Sequence, residues 1–388
     1  MFVGSRWALL RTLRSLLLGC LLMAMLLATM VVTAGCAGDG SGDGGGGDTT
    51  TSASTAITVP GSNNGNNSNN GNGGTLGAIT KIGIIAPEKG NDFGWNQQGV
   101  ESAWALASEL GAEIEVFDGA GYEDIPPIFR QLVANGADWI LLWAGGYNIV
   151  GPQLAQETGV KTLVIDAQEQ GLIPGLSADA ETEAQQGAYL AGVVAAQMSK
   201  TGTVGVVVSA DDLNWNKMSG GFITGAQATR PGIDIKLAQA GQAAYADAAA
   251  GKRVTDALIA VGADIVFGMG DGSTFGMIQS VETATPPQGA DRTWFIDVIG
   301  DKSSIDEKNV LLTSVVWDYL PVLREAAADI EAGTYGGRLH SIDLENGGIS
   351  LLQSNNIPAE VWTVVEAARE RIIAGTIVVP VIDNKAGV

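Results

Sequence analysis

The sequence predicts an α/β protein with two doubly wound parallel-sheet lobes in series, on three observations. Short continuous apolar runs such as Ile82-Gly83-Ile84-Ile85-Ala86 read as strands buried on both faces, as in parallel sheets covered by helices. These runs alternate with longer helical stretches, the pattern of α/β units. The rhythm then restarts after a helix over 184–198, so that two rounds follow one another.

The elements come in order. A strand at 82–86 leads to a helix over 94–110, a strand at 114–117, a helix over 125–133, a strand at 139–143, a helix over 150–157 and a strand at 162–165. After the helix over 184–198 come a strand at 204–208, a helix over 222–228, a strand at 233–237, a helix over 254–261 and a strand at 265–268. Gly111, Gly136, Gly159 and Gly262 each follow a helix, where a left-handed residue ends it at least cost. The passage Leu132 to Ile140 is similar to Leu258 to Val266, both running helix end, Gly-Ala-Asp, strand. Either any α/β lobe reuses this junction or the two lobes are a repeat. A last helix is expected over 359–374, and His340 on a surface strand with a structural role.

Composition narrows the function. The 388 residues hold 21 Lys and Arg against 42 Asp and Glu, a formal charge of −21, which disfavours nucleic acid as a partner. Two Cys exclude a disulfide scaffold and a Cys-rich metal site, and the single His argues against a His-based zinc or triad enzyme. At roughly 150 residues per domain the length suggests two domains.

The first 35 residues read as a secretory signal: Arg6, Arg11 and Arg14, an apolar run from Leu16 to Val32, then Thr33-Ala34-Gly35-Cys36. The run is also long enough for an uncleaved membrane helix. Cys36 after Ala-Gly resembles a bacterial lipobox, which implies acylation of Cys36, with Thr33 where such motifs carry Leu, Val or Ile. Residues 36–79 are Gly, Ser, Thr, Asn and Asp with almost no large apolar side chain, a tether of about 35 Å end to end. Cleavage would remove three Arg and no acid, taking −21 to −24, and so acidic a chain needs a covalent anchor to stay at an anionic membrane.

In open α/β sheets ligands bind beyond the carboxyl ends of strands, so the loops after strands are where a site is expected. The first is Pro87-Glu88-Lys89-Gly90-Asn91-Asp92-Phe93-Gly94-Trp95-Asn96-Gln97. It resembles the Asp-x-x-Phe-Asn-Gln loop of the basic membrane protein family, substrate-binding lipoproteins of ABC transporters that include purine nucleoside receptors. Further pieces agree in order: Val164-Ile165-Asp166, Gly221-Phe222-x-x-Gly225-Ala226, Trp294-Phe295-Ile296, Asp301, Leu312 to Val316 and Gly375 to Pro380. The resemblance implies a type I periplasmic-binding-protein fold, two lobes joined by a three-segment hinge that closes on a ligand. It places residues 80–180 plus about 316–350 in an N-terminal lobe and 181–315 plus about 351–388 in a C-terminal lobe. It also implies a monomer outside the cytoplasm, held to the membrane by the lipid on Cys36, that hands a small ligand to an ABC permease with no cofactor, no metal and no catalysis.

Site residues follow from the same comparison. Trp95 takes the place of a stacking Phe, or else staples the helix entry. Asp92 and Asn96 reach ligand edges or ribose, or else cap the helix. Asp166, at a strand end, reads a base edge or forms a loop salt bridge. In the second lobe Met218 stands where relatives carry an aromatic, and Trp215, three positions earlier, is the alternative stacking ring. Gly270 and Asp271 lie in a Gly-rich segment that brings backbone close to a ligand and offers a carboxylate to ribose, or else forms a tight turn. Asp301 is carried over too, followed by Lys302 where the family has Gln, and Asp297 replaces a family Gly. Trp317 stands where many relatives carry a ligand-contacting Lys, a change that favours a neutral or differently placed ligand. The expected function is capture of a purine nucleoside for an importer, with a sugar or another small solute, or ligand sensing, as alternatives. A nucleoside hydrolase is disfavoured because no dense Asp cluster of the required spacing is present.

Overall fold

A computed structural model of the chain describes residues 79–382. The expected signal segment, Cys36 and the tether up to residue 78 lie outside the described residues. The first round is β1 (Lys81–Ala86), α1 (Trp95–Leu110), β2 (Glu113–Asp118), α2 (Pro126–Ala134), β3 (Trp139–Leu142), α3 (Val150–Thr158), β4 (Lys161–Ile165) and β5 (Ser177–Thr182). The second is α4 (Ala184–Met198), β6 (Thr203–Val208), α5 (Leu213–Thr229), β7 (Asp234–Gln239), α6 (Ala248–Ala260), β8 (Ile265–Met269), α7 (Thr274–Thr283), β9 (Trp294–Ile299) and β10 (Leu311–Trp317). The chain ends with α8 (Leu320–Ala332), β11 (Leu339–Ile342), β12 (Ile349–Leu351) and α9 (Ala359–Ile373).

These strands form two six-stranded sheets, ordered β11-β5-β4-β3-β1-β2 and β12-β10-β9-β8-β6-β7. All pairs are parallel except β10 with β12. Inner strands β3 and β8 are buried at every residue, whereas the edges β2 and β7 are mostly half-buried, as helices on both faces require. The chain crosses from one sheet to the other after β5, after β10 and after β11. The expected lobe boundaries near 315 and 350 fall inside β10 and β12, which pair with each other over Val315–Trp317 and Ile349–Leu351 within the second sheet. The last helix, α9, packs on α4 of the second lobe, while α8 packs on α1 and β11 of the first.

The two sheets share one strand order, so the Gly-Ala-Asp junctions occupy equivalent places. Gly136 (φ 91°) and Gly262 (φ 107°) take left-handed conformations that admit Gly without a Cβ clash. The Asp that follows has a shared task. Asp138 accepts bonds from Thr80 N and Oγ1 at the start of β1, and Asp264 accepts from Ser199 Oγ, Lys200 N and Thr201 N just before β6. Each carboxylate fastens the first strand of its sheet to the third.

Helix α5 and strand β11 depart from the sequence pattern. Helix α5 starts at Leu213, nine residues before the expected 222, because Asp212 caps it by accepting from Asn214 N (2.8 Å) and Trp215 N (3.3 Å). Its glycines then serve packing: a Cβ at Gly221 or Gly225 would strike the carbonyl oxygen of Gln185 or Tyr189 in α4, so the two helices touch backbone to backbone. His340 does sit on a strand, β11, but it is 1 % exposed rather than on the surface. It lies beneath Glu325 and Asp329 of α8, and burial together with Arg338 holds its pKa below the usual value.

Candidate functional site

Between the two sheets, beyond the carboxyl ends of their strands, lies a cavity of about 300 Å³. The first lobe contributes Trp95 at the start of α1, Tyr122 after β2, Gly145 and Asn148 after β3, and Asp166 and Gln168 after β4. The second contributes Asp212, Asn214 and Trp215 at the start of α5, Tyr245 after β7, Asp271 after β8, Ile299 at the end of β9 and Trp317 at the end of β10. Every wall therefore comes from the strand-end position that α/β sheets use for ligands.

Backbone conformations at this wall are unusual. Asp166 (φ 60°), Gln168 (φ 56°) and Ile299 (φ 71°) occupy the left-handed region, which for the β-branched Ile299 is a strained state that the surroundings must enforce. Gly145 presses on Asp166, because a Cβ there would lie 2.6 Å from the Asp166 carbonyl oxygen. The loop carrying Tyr122 is tied down by a bond from the Tyr147 hydroxyl to Gly121 O.

The lobes are joined across the cavity by its own lining. Asn214 Nδ2 donates to Asp166 Oδ2 (3.1 Å). Trp95 N, in the first turn of α1, donates to Asp271 Oδ1 (3.2 Å), so a carboxylate of the second lobe helps cap a helix of the first. Phe93 meets Phe275 edge-on at 5.6 Å on the rim. At the floor Trp215 and Trp317 lie 6.2 Å apart at 50°. Trp95 leans on Trp143 and donates its indole N–H to the Tyr319 hydroxyl (3.3 Å).

Three buried polar atoms of the lining have no partner: Asp166 Oδ1, Asn214 Oδ1 and Trp317 Nε1. Leaving such atoms unpaired is costly. No lining residue among those described is Lys or Arg, whereas Asp166, Asp212 and Asp271 are all acids. Burial, with Glu181 and Asp212 nearby, pushes Asp166 well above the usual carboxylate range. Burial and Asp92 raise Asp271 to about 7, against the pull of Trp95 N and Lys302. The wall thus offers aromatic faces and hydrogen-bond acceptors, and it suits a ligand rich in N–H and O–H donors rather than an anion.

Of the residues expected at the site, Trp95, Asp166, Trp215, Asp271 and Trp317 line the cavity. The other five are placed elsewhere. Asp92 accepts from Gly94 N (2.9 Å), Gln97 N (3.1 Å) and Asn96 Nδ2 (2.8 Å), closing the helix entry. Asn96 is 2 % exposed and its Oδ1 accepts from Glu88 N. Met218 is wholly buried in the core. Gly270 supplies a carbonyl to Thr274 Oγ1 (2.9 Å), and Asp301 is exposed and accepts from Ser303 N (2.8 Å). Sequence reasoning passed over Tyr122 and Tyr245, although each follows the second strand of its sheet, where the strand-end rule directs attention. Tyr245 is fixed by donating to Asp212 Oδ2 (3.0 Å).

Residues 79–383 match the family model described as ABC transporter substrate-binding protein, PnrA-like. The chain is 27 % identical over 335 residues to the ABC transporter nucleoside-binding protein BmpA of Lactococcus lactis, covering 79 % of this chain and 92 % of that one. It is 24 % identical over 315 residues to basic membrane protein A of Borreliella burgdorferi, covering 79 % and 90 %. In fold it is similar to a solute-binding protein from Conexibacter woesei, with a TM-score of 0.66 at 23 % identity over 79 % of this chain and all of that one.

Proposed function

The chain belongs to the PnrA-like family of ABC transporter substrate-binding proteins, and on that premise we propose that its cleft captures a purine nucleoside outside the cytoplasm and releases it unchanged to a permease. The family consists of solute-binding proteins and is not an enzyme class. The observation that carries the nucleoside reading is the set of unpartnered atoms, Asp166 Oδ1, Asn214 Oδ1 and Trp317 Nε1, in a cavity walled by indoles. A nucleobase has flat apolar faces for the indoles of Trp95, Trp215 and Trp317, N–H groups for the two acceptors, and a carbonyl or ring nitrogen for the Trp317 N–H. Ribose hydroxyls suit Asp271, which faces the cavity from the opposite lobe to Asp166. The BmpA relative is named as nucleoside-binding, which supports the same reading.

Because both lobes contribute, a ligand that bridges them favours the closed arrangement by its differential affinity for it. Stacking plus hydrogen bonds from both lobes should give micromolar or tighter binding, about −8 kcal/mol. The remaining expectation, acylation at Cys36, belongs to the same proposal, since a lipid anchor keeps the receptor near its permease. Calorimetric titration with inosine, guanosine, adenosine and ribose tests the ligand class. Nucleosides should bind at least about 100-fold more tightly than ribose, and ribose binding equally well would refute base recognition.

A further inference from the structure

The described lining of the cleft holds five aromatic rings and three carboxylic acids but no Lys or Arg. The face of an aromatic ring is the negative end of its quadrupole, so rings and carboxylates side by side form surroundings that attract positive charge. Protein groups answer only part of that demand. Asp212 is engaged by the start of α5 and by the Tyr245 hydroxyl, and Asp271 Oδ1 accepts from Trp95 N. Asp166 receives one bond from Asn214 Nδ2, and its Oδ1 has no partner. Two lysines act on these acids, Lys217 on Asp166 and Lys302 on Asp271, but neither belongs to the lining, and Lys302 is held at Val298 O and Asp297. Neither restores its acid to the usual carboxylate range, because burial and neighbouring acids outweigh it. The same field reaches the rim, where burial together with Glu88, Asp271, Asp212 and Asp92 pushes the Tyr122 hydroxyl up to about 12.

Resting on the nucleoside reading, we propose that the cleft prefers purine nucleosides whose ring carries a positive charge, as methylation or protonation of a ring nitrogen produces, over their neutral counterparts. A charged ring keeps everything the neutral base offers: flat faces for the indoles, N–H donors for Asp166 Oδ1 and Asn214 Oδ1, and a carbonyl or ring nitrogen for Trp317 Nε1. It adds a cation within a set of indole and phenol rings, the arrangement that recognises cationic ligands, in a site closed to competing water. It also supplies the opposite charge that favours ionised Asp166 and Asp271. An anionic ligand would meet the same rings and acids as repulsion.

Isomeric ligands isolate the charge. 1-Methyladenosine is a cation at neutral pH, whereas N6-methyladenosine is neutral; 7-methylguanosine is a cation in mildly acidic buffer, whereas 1-methylguanosine is neutral. Within each pair the two differ only in the site of the methyl group and one proton. In calorimetric titrations of the unmodified protein, the cation should bind at least about tenfold more tightly than both its neutral isomer and the unmethylated parent in at least one pair. A smaller preference in both pairs overturns the proposal and leaves the nucleoside reading standing. If none of the six nucleosides binds, the nucleoside reading itself falls, and the charge preference with it. Asp166→Asn and Asp271→Asn then locate the source: in at least one of them the ratio of cation to neutral affinity should fall by about threefold or more. A ratio that holds within threefold in both, in folded variants, overturns the role given to the acids, and where a variant does not fold the ligand pairs on the unmodified protein still decide.

Discussion

Replacing Trp95 by Ala removes one wall of the cleft while leaving its framework in place. The bond from Trp95 N to Asp271 and the bond from Trp143 Nε1 to Trp95 O (3.0 Å) are both main-chain contacts at position 95, so both survive. What is lost is the indole: its contact with Trp143 at 6.3 Å, its bond to Tyr319 and its face toward the cavity. One base stack is worth about 1–3 kcal/mol, so inosine affinity should fall about 5- to 150-fold. Trp95→Phe separates the causes, because it keeps a ring and loses only the Tyr319 bond; its affinity should stay within about threefold of the parent, since a neutral hydrogen bond contributes only about 0.5–1.5 kcal/mol and the long 3.3 Å contact sits at the weak end. Calorimetry gives the constants and thermal melting by circular dichroism verifies the fold. A Trp95→Ala protein that folds and binds within twofold of the parent would refute the placement of the ligand against this ring.

Three more outcomes follow from the same geometry. Asp166→Asn, tolerated at a left-handed φ, should weaken inosine by about 0.5–1.5 kcal/mol in calorimetry, and an unchanged constant in a folded variant would remove Asp166 from the ligand's reach. The ligand-free protein should become less stable from pH 5 to 8. Asp271 (about 7), Asp179 and Asp297 (each about 6) titrate above their unfolded values through burial, so the stability they confer is complete below about pH 3.8 and is lost as pH rises through 6–7. His340 alone works the other way, its contribution fading as pH falls below 6.5, and a melting temperature that climbs steadily over this range would contradict the assignment. Gly225→Ala should cost about 1–3 kcal/mol in denaturant melts by wedging α5 off α4, and an unchanged midpoint would show that the helices are free to separate.

The sheets were legible because their inner strands are runs of Ile, Val, Leu and Trp that no exposed segment would carry. β5 was not, since Ser177-Ala178-Asp179-Ala180-Glu181-Thr182 holds two acids and no large side chain, yet all six residues are buried between β4 and β11. Its acids are tolerated because Gly171 N and Gln168 N, in the loop between β4 and β5, donate to Asp179 and Glu181, a solution that the strand's own residues do not reveal. The same limit applied to the site. Trp95, Asp166 and Asp271 stood out because each follows a strong strand, whereas Asp92 and Asn96, in the same segment as Trp95, turn inward to close the helix end. Whether a carboxylate beside a helix start serves the helix or the cavity depends on which side of the turn it emerges, and that is a property of backbone direction rather than of residue type.

The three crossings between the sheets have a consequence for biosynthesis. One edge of the first sheet is β11 at 339–342 and one edge of the second is β12 at 349–351. A nascent chain therefore lacks a border strand on both halves until almost nine-tenths of it has been made, and both borders then arrive within about a dozen residues. Neither half is a contiguous stretch that a ribosome could finish ahead of the other, so the two should mature nearly together, and fragments ending before residue 339 should be substrates for proteases rather than half-receptors.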